Sequence, residues 1–194
     1  MEILLSVGLG IGLAAACGFR VFLPFLVMGV AARSGALDLS QDFEWMARTP
    51  ALLAFGIAAA LEIGAYYIPW LDNLLDVAAM PAAVTAGVAV AAANIETASP
   101  LLDWALAAVA GGGAAAGIQT GTSLLRGAST MATAGIGNPV ISTGEAGSAV
   151  GLSLLAVALP LVALAAVPLL LLVVAVISLR VVRRRALTAQ RAES

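Results

Sequence analysis

The chain has no histidine, its nine cations are all arginine, and it holds one cysteine, two tyrosines and three tryptophans in 194 residues. Without imidazole or amine side chains it has no ready general base, pH switch or neutral zinc ligand. Cys17 alone permits no internal disulfide. A net charge of −2, with no basic surface away from the C-terminus, leaves no footprint for nucleic acid. Hydroxyls such as Ser123, and the Cys17 thiol, have no histidine or lysine to activate them. Zinc-ligand spacing is absent, and the glycine-rich stretches lack the Gly-Lys-Ser/Thr ending of a phosphate loop. The sequence therefore predicts neither an enzyme nor a bound cofactor or metal.

What it has instead is apolar length, with 62% hydrophobic residues and a mean hydropathy of +1.06. Six of the charged residues, Arg180, Arg183, Arg184, Arg185, Arg191 and Glu193, crowd the last fifteen positions, so most of the remaining chain suits lipid. Residues 3–32 form an apolar stretch interrupted at Cys17-Gly18-Phe19-Arg20 and Pro24, longer than one crossing needs, so this helix is expected to be tilted, broken or re-entrant. It lacks the basic leader of a signal peptide and reads as a retained membrane segment. Residues 33–48 form the longest polar loop, with Trp45 placed as an interfacial anchor. Thr49-Pro50 starts a second span running to about Ile68, and Ser99-Pro100 starts a fourth running to about Met131. Between them, residues 69–78 read as a short amphipathic helix and residues 81–93 as a third span. Residues 134–144 read as an irregular loop, with Ser142 and Glu145 at capping-box spacing. The apolar run 146–179 either bends at Pro160 or Pro168 or is a hairpin.

The expected fold is thus all-α: a polytopic transmembrane helical bundle of five or six spans. Residues 1–180 form one integral membrane domain and residues 181–194 an Arg-rich cytoplasmic tail. A weak echo between residues 12–18 and 113–117 suggests two pseudo-symmetric halves with broken helices, an inverted repeat of the kind found in transporters.

Charges inside apolar runs carry the functional expectation. A carboxylate at membrane depth costs roughly 2.5–3.5 kcal/mol, so Glu62 must face the interior and find a partner or a proton. Continuing at helical spacing through Tyr66, Pro69 and Asn73 brings in Asp72 and Asp76, a possible cation or proton site; the competing reading makes those two aspartates the wet face of an interfacial helix. Gly113, Gly117 and Gly121 recur every four residues, as close helix packing demands. Gln119, Thr122, Ser123, Arg126, Ser129, Thr130 and Thr133 share one face, which lines either a hydrophilic pathway or an interhelical hydrogen-bonded seam. Arg20 and Arg126 each have three options: an anionic ligand, a buried acid such as Glu62 or Glu145, or the headgroups.

Three runs also carry a resemblance: residues 16–25 (Ala-Cys-Gly-Phe-Arg-Val-Phe-Leu-Pro-Phe), residues 61–76 (Leu-Glu-Ile-Gly-Ala-Tyr-Tyr-Ile-Pro-Trp-Leu-Asp-Asn-Leu-Leu-Asp), and Arg126 followed by Gly137-Asn-Pro-Val-Ile-Ser with Glu145. Across residues 3–170 the chain resembles the DUF4126 family, small bacterial integral membrane proteins of unknown function. The resemblance implies a polytopic helical protein without an assigned activity, and its pattern meets this chain at Arg20, Glu62, Pro69, Asp72, Asp76, Arg126, Asn138, Pro139, Ser142 and Glu145. Tyr66-Tyr67 stands where the family pattern has an Asp-Lys pair, and an apolar or small residue stands where that pattern has a basic one shortly before Arg126, so a mechanism needing those charges is not implied.

The resulting expectation is a protein of the bacterial inner (cytoplasmic) membrane, multi-pass, with its C-terminus cytoplasmic. It would pass a small solute or ion through an intramembrane polar cavity built from Glu62, Asp72, Asp76, Arg20, Arg126, Asn138 and Glu145. The alternative is a non-transporting scaffold that binds partners through small-residue helix faces. Its partners would be the lipid bilayer and a small solute or ion, with a homo-oligomer open to it, and no nucleic acid.

Overall fold

The computed structural model describes the backbone of residues 1–192, and the side chains of these except 69, 70, 72–74, 76, 178 and 181–192. The described residues form eight α-helices and no strand: α1 (Glu2–Cys17), α2 (Phe22–Arg33), α3 (Thr49–Ala65), α4 (Pro69–Ala92), α5 (Pro100–Leu106), α6 (Gly112–Thr133), α7 (Asn138–Ala158) and α8 (Pro160–Ala192). A 3-10 turn, Gln41–Ala47, precedes α3 at an angle of 66°, and a π segment, Ala107–Gly111, joins α5 to α6. Three helices are long and apolar enough to cross a membrane: Pro100–Thr133, Asn138–Ala158 and Pro160–Ile177. Counting the bent pair ahead of and including α3 makes four, and α1, α2 and residues 77–92 are shorter apolar helices. These apolar helices mark a membrane protein.

Proline sets several starts, because its missing N–H costs nothing in a first helical turn: Pro50, Pro69, Pro100 and Pro139 all sit there. Asp103, in the first turn of α5, accepts the Thr97 amide at 2.7 Å.

The core is built around α1, which packs against α4, α6, α7 and α8. Leu13, Ala14, Ala15, Ala16 and Cys17 are fully buried. Small residues make this closeness possible: a Cβ on Gly18 would lie 2.5 Å from the Ala115 carbonyl oxygen and 2.6 Å from Ile118 Cβ.

The first apolar stretch is broken at Gly18–Val21, and α2 turns back along the bundle. Asn94 donates to Met28 Sδ at 3.2 Å, while Ile95 beside it packs on Gly10, so the middle of α2 lies level with the N-terminal half of α1. The result is a helical hairpin with Arg20 at its apex. From the level of that apex at Ile118, α6 runs on through fifteen more residues to Thr133, about 22 Å. The hairpin therefore stops well short of the far end of α6.

Several sequence-based boundaries need correction. Residues 69–92 form one helix containing Pro81, not a short amphipathic helix followed by a separate span. The helical track from Glu62 to Asp76 is interrupted, because Ile68 ahead of Pro69 is extended (φ −104°, ψ 110°) and separates α3 from α4. The irregular loop shrinks to Ala134–Gly137, where Ala134 is left-handed (φ 52°), and α7 starts at Asn138. Ser142 and Glu145 consequently lie inside α7, one turn apart, and do not cap it.

The last apolar run is a hairpin turning at Leu159–Pro160. A Cβ on Gly12 would lie 2.7 Å from Ala156 Cβ and 2.9 Å from Ala163 Cβ, placing those methyls within about 6 Å of each other. Seven residues of continuous helix would hold them about 10 Å apart. Nor are α1 and α6 inverted relative to each other: Gly18 meets Ala115 and Ile118, and Ala14 lies beside Gly111, so the two run parallel.

Candidate functional site

The apex of the α1–α2 hairpin gathers charges from four separate elements. Arg20 is 1% exposed, and its guanidinium donates to Ser142 Oγ at 2.6 Å and to the Ser142 carbonyl at 3.1 Å. The same Nη2 lies 3.1 Å from Glu145 Oε2. Arg126 grips Glu145 in the forked geometry that guanidinium and carboxylate favour, Nε to Oε1 at 3.0 Å and Nη2 to Oε2. Glu145 is 4% exposed and so serves two buried cations at once. Arg126 reaches the group because helical side chains lean toward their own N-terminus, which on α6 is the direction of the apex.

Tyr66, at the C-terminal end of α3, completes the cluster. Its ring centroid lies 4.0 Å from the Arg20 guanidinium carbon and 3.9 Å from that of Arg126. A desolvated cation over an aromatic ring is worth about 2 kcal/mol, so this ring supplies part of the stabilisation that water cannot give. Both guanidiniums share the Glu145 carboxylate, and Glu62 lies beside them at the apex. Arg20 Nε has no hydrogen-bond partner in this buried setting.

Glu62 has a different occupation. Its Oε1 accepts the Val21 amide at 2.8 Å and its Oε2 the Phe22 amide at 3.1 Å. These are among the first amides of α2, which lack carbonyl partners and which no local side chain caps. A carboxylate from α3 therefore caps α2 across the bundle, where the positive end of the helix dipole favours it.

The other expected site residues divide. Asn138 lies at the start of α7 and donates to Thr130 Oγ1 at 3.1 Å, fastening α7 to α6 next to the cluster. Asp72 and Asp76 belong to α4, and their side chains lie outside the described residues. Of the glycines, Gly117 and Gly121 receive Leu171 and Val174 of α8, and Gly113 faces open space. The polar stripe of α6 is largely tied off within the protein: Gln119 donates to Ser123 Oγ at 3.3 Å, Thr122 to the Gln119 carbonyl at 3.0 Å, and Thr133 both donates to the Ser129 carbonyl and accepts the Gly137 amide. No group of three or more His, Cys, Asp or Glu side chains suited to a metal occurs among the described residues.

Residues 7–180 match the model of a family described as a domain of unknown function, DUF4126. The chain belongs to the DUF4126 family. No curated protein and no solved structure matches it. The apex cluster thus lies wholly within the DUF4126 region, built by Arg20, Tyr66, Arg126, Ser142 and Glu145 with Glu62 beside it. Sequence reasoning had singled out both arginines and both glutamates but had not foreseen Tyr66 as the surface under both guanidiniums; the signal available was its position one turn after Glu62 in a stretch already marked as interior. Ser142 had been read as a cap, and its contact with Arg20 spans 122 positions.

Proposed function

We propose that this DUF4126 protein passes a small solute across the bacterial inner membrane, and that the solute is a small anion met at the apex of the α1–α2 hairpin. The observation that carries the reading is the buried Arg20, whose guanidinium Nε has no hydrogen-bond partner among the described residues although Ser142 and Glu145 hold its Nη2. A buried guanidinium N–H without an acceptor is costly, and an anion from outside the chain supplies one. Glu62 supports this choice over a cation or proton site, because both its oxygens are engaged by α2.

In this reading α1–α2 is a re-entrant hairpin and α3, α4, α5–α6, α7 and α8 are five crossings. Glu2, Asp38, Asp42, Glu44, Glu96 and Asp103 then fall on one side with Arg33 and Arg48, and the arginines from Arg180 onward on the other. That asymmetry makes the C-terminal side cytoplasmic.

Proteoliposomes carrying an anion-sensitive dye test the proposal with chloride, nitrate, formate and acetate in turn. Flux above protein-free vesicles for at least one of them, lost in Arg20→Gln, is expected; no flux with any of the four overturns it. A scaffold is the second reading, favoured by the internally satisfied stripe on α6. Cysteines at Ser123, Ser129 and Thr130 in a Cys17→Ala background separate the two, since a pathway makes them reactive to impermeant thiol reagents and a sealed seam leaves them silent.

A further inference from the structure

The helices α3 and α4 follow each other after only Tyr66, Tyr67 and Ile68, yet they splay apart. The main packing of α3 is on α2 and the 3-10 turn. Between the two helices lies a cavity of about 420 Å³ walled by Ala58, Leu61, Leu71, Leu75 and Ala82, with Val21 and Phe22 at the hairpin apex and Glu62 as its one carboxylate among the described side chains. Its volume falls within the range of ligand sites, and its make-up, apolar walls with one fixed polar group, is theirs too. Leu61, one of the wall residues, is 68% exposed, so the cavity opens beside the apolar surface that the rest of α3 presents.

We propose that this cavity is a binding site for an acyl chain of a membrane phospholipid, an inference that rests on α3 and α4 lying in the bilayer but not on the passage of any solute. Three observations choose the occupant. The described walls, Glu62 and Tyr66 apart, offer an entering molecule almost nothing to hydrogen-bond. Glu62 is turned to the Val21 and Phe22 amides and so does not call for a cationic ligand. A helix from a second copy or another protein, about 10 Å across, would fill this volume with a single turn, whereas a hydrocarbon chain is narrow enough to lie within it. The seated chain excludes water from the Glu62 cap and bears on Tyr66, which also lines the cavity and carries both guanidiniums. It thereby couples the local lipid to the charged apex.

The test uses the full chain in phosphatidylethanolamine–phosphatidylglycerol vesicles doped with phosphatidylcholine bearing a photoreactive diazirine on one acyl chain. After illumination, label on residues 58–66 and 71–82 is expected to saturate with probe fraction, while label on the exposed Leu169 and Leu172 of α8 rises in proportion to it. Ala58→Phe and Ala82→Phe, each filling the cavity, should lower the first label about tenfold and leave the α8 label unchanged, which also shows that the variants are folded. Label in the cavity that rises in proportion like that on α8, or that survives both substitutions, overturns the proposal.

Discussion

Replacing Glu145 by Gln keeps the side chain's shape while removing the only carboxylate that Arg20 and Arg126 share. Three charge-assisted hydrogen bonds weaken together, and two guanidiniums packed on one tyrosine ring lose the carboxylate they share. Breaking a buried ion pair by removing one partner costs about 3–5 kcal/mol, and here two cations are orphaned by one change. For a chain of this length that corresponds to a fall in Tm of about 6–20 °C. Arg126→Met should cost less, about 1–3 kcal/mol, because it removes hydrogen bonds to a charged group yet leaves Arg20 and Glu145 matched one to one. The double variant carries the decisive sign: Arg126→Met added to Glu145→Gln removes one of two repelling cations and should raise stability above that of Glu145→Gln alone. Thermal unfolding of the three purified variants in one detergent measures all of this. A double variant less stable than Glu145→Gln would mean that the arginines are solvated at the apex and that the balance of buried charge does not govern it.

Glu62→Ala should uncap α2 and cost about 1–2 kcal/mol, with hydrogen exchange at the Val21 and Phe22 amides accelerated and the amides of α8 unaffected; unchanged exchange at those two amides contradicts the capping role. Gly12→Val should cost about 1–3 kcal/mol, since even a Cβ at that position meets Ala156 and Ala163 at 2.7 and 2.9 Å, whereas Gly147→Ala, at an open position, should leave Tm nearly unchanged. A fluorescent or phosphatase reporter fused after Ser194 should report the cytoplasm, and a periplasm-only signal would reverse the proposed orientation.

Legibility in the sequence followed the range of the interactions. Thr49-Pro50 and Ser99-Pro100 mark α3 and α5 because proline's fixed φ and missing N–H act on its own turn. The cost of an unpaired charge in lipid marks Glu62 as interior and puts Glu145 among the options for Arg20 and Arg126, and the structure selects Glu145 for both. Partnerships that cross the bundle leave no such trace. Nothing local to Glu62 says that its partners are two backbone amides, since amides have no sequence signature. Glycine and proline in residues 134–144 suggested a long loop, but Pro139 is a helix starter and only four residues turn. The pairing of Leu159–Pro160 with Gly8 and Gly12, which makes the last run a hairpin, depends on a helix at the other end of the chain.

The apex also has a history in time. Arg20 is made early, and its acceptors Ser142 and Glu145 come more than 120 residues later. At 5–20 residues per second, the nascent chain holds an uncompensated guanidinium for about 6–25 s before its carboxylate exists. Glu62, some forty residues on, arrives sooner and can cap α2. The first hairpin therefore gains these contacts only once α7 is synthesised, so its apex is completed by a segment made long after it.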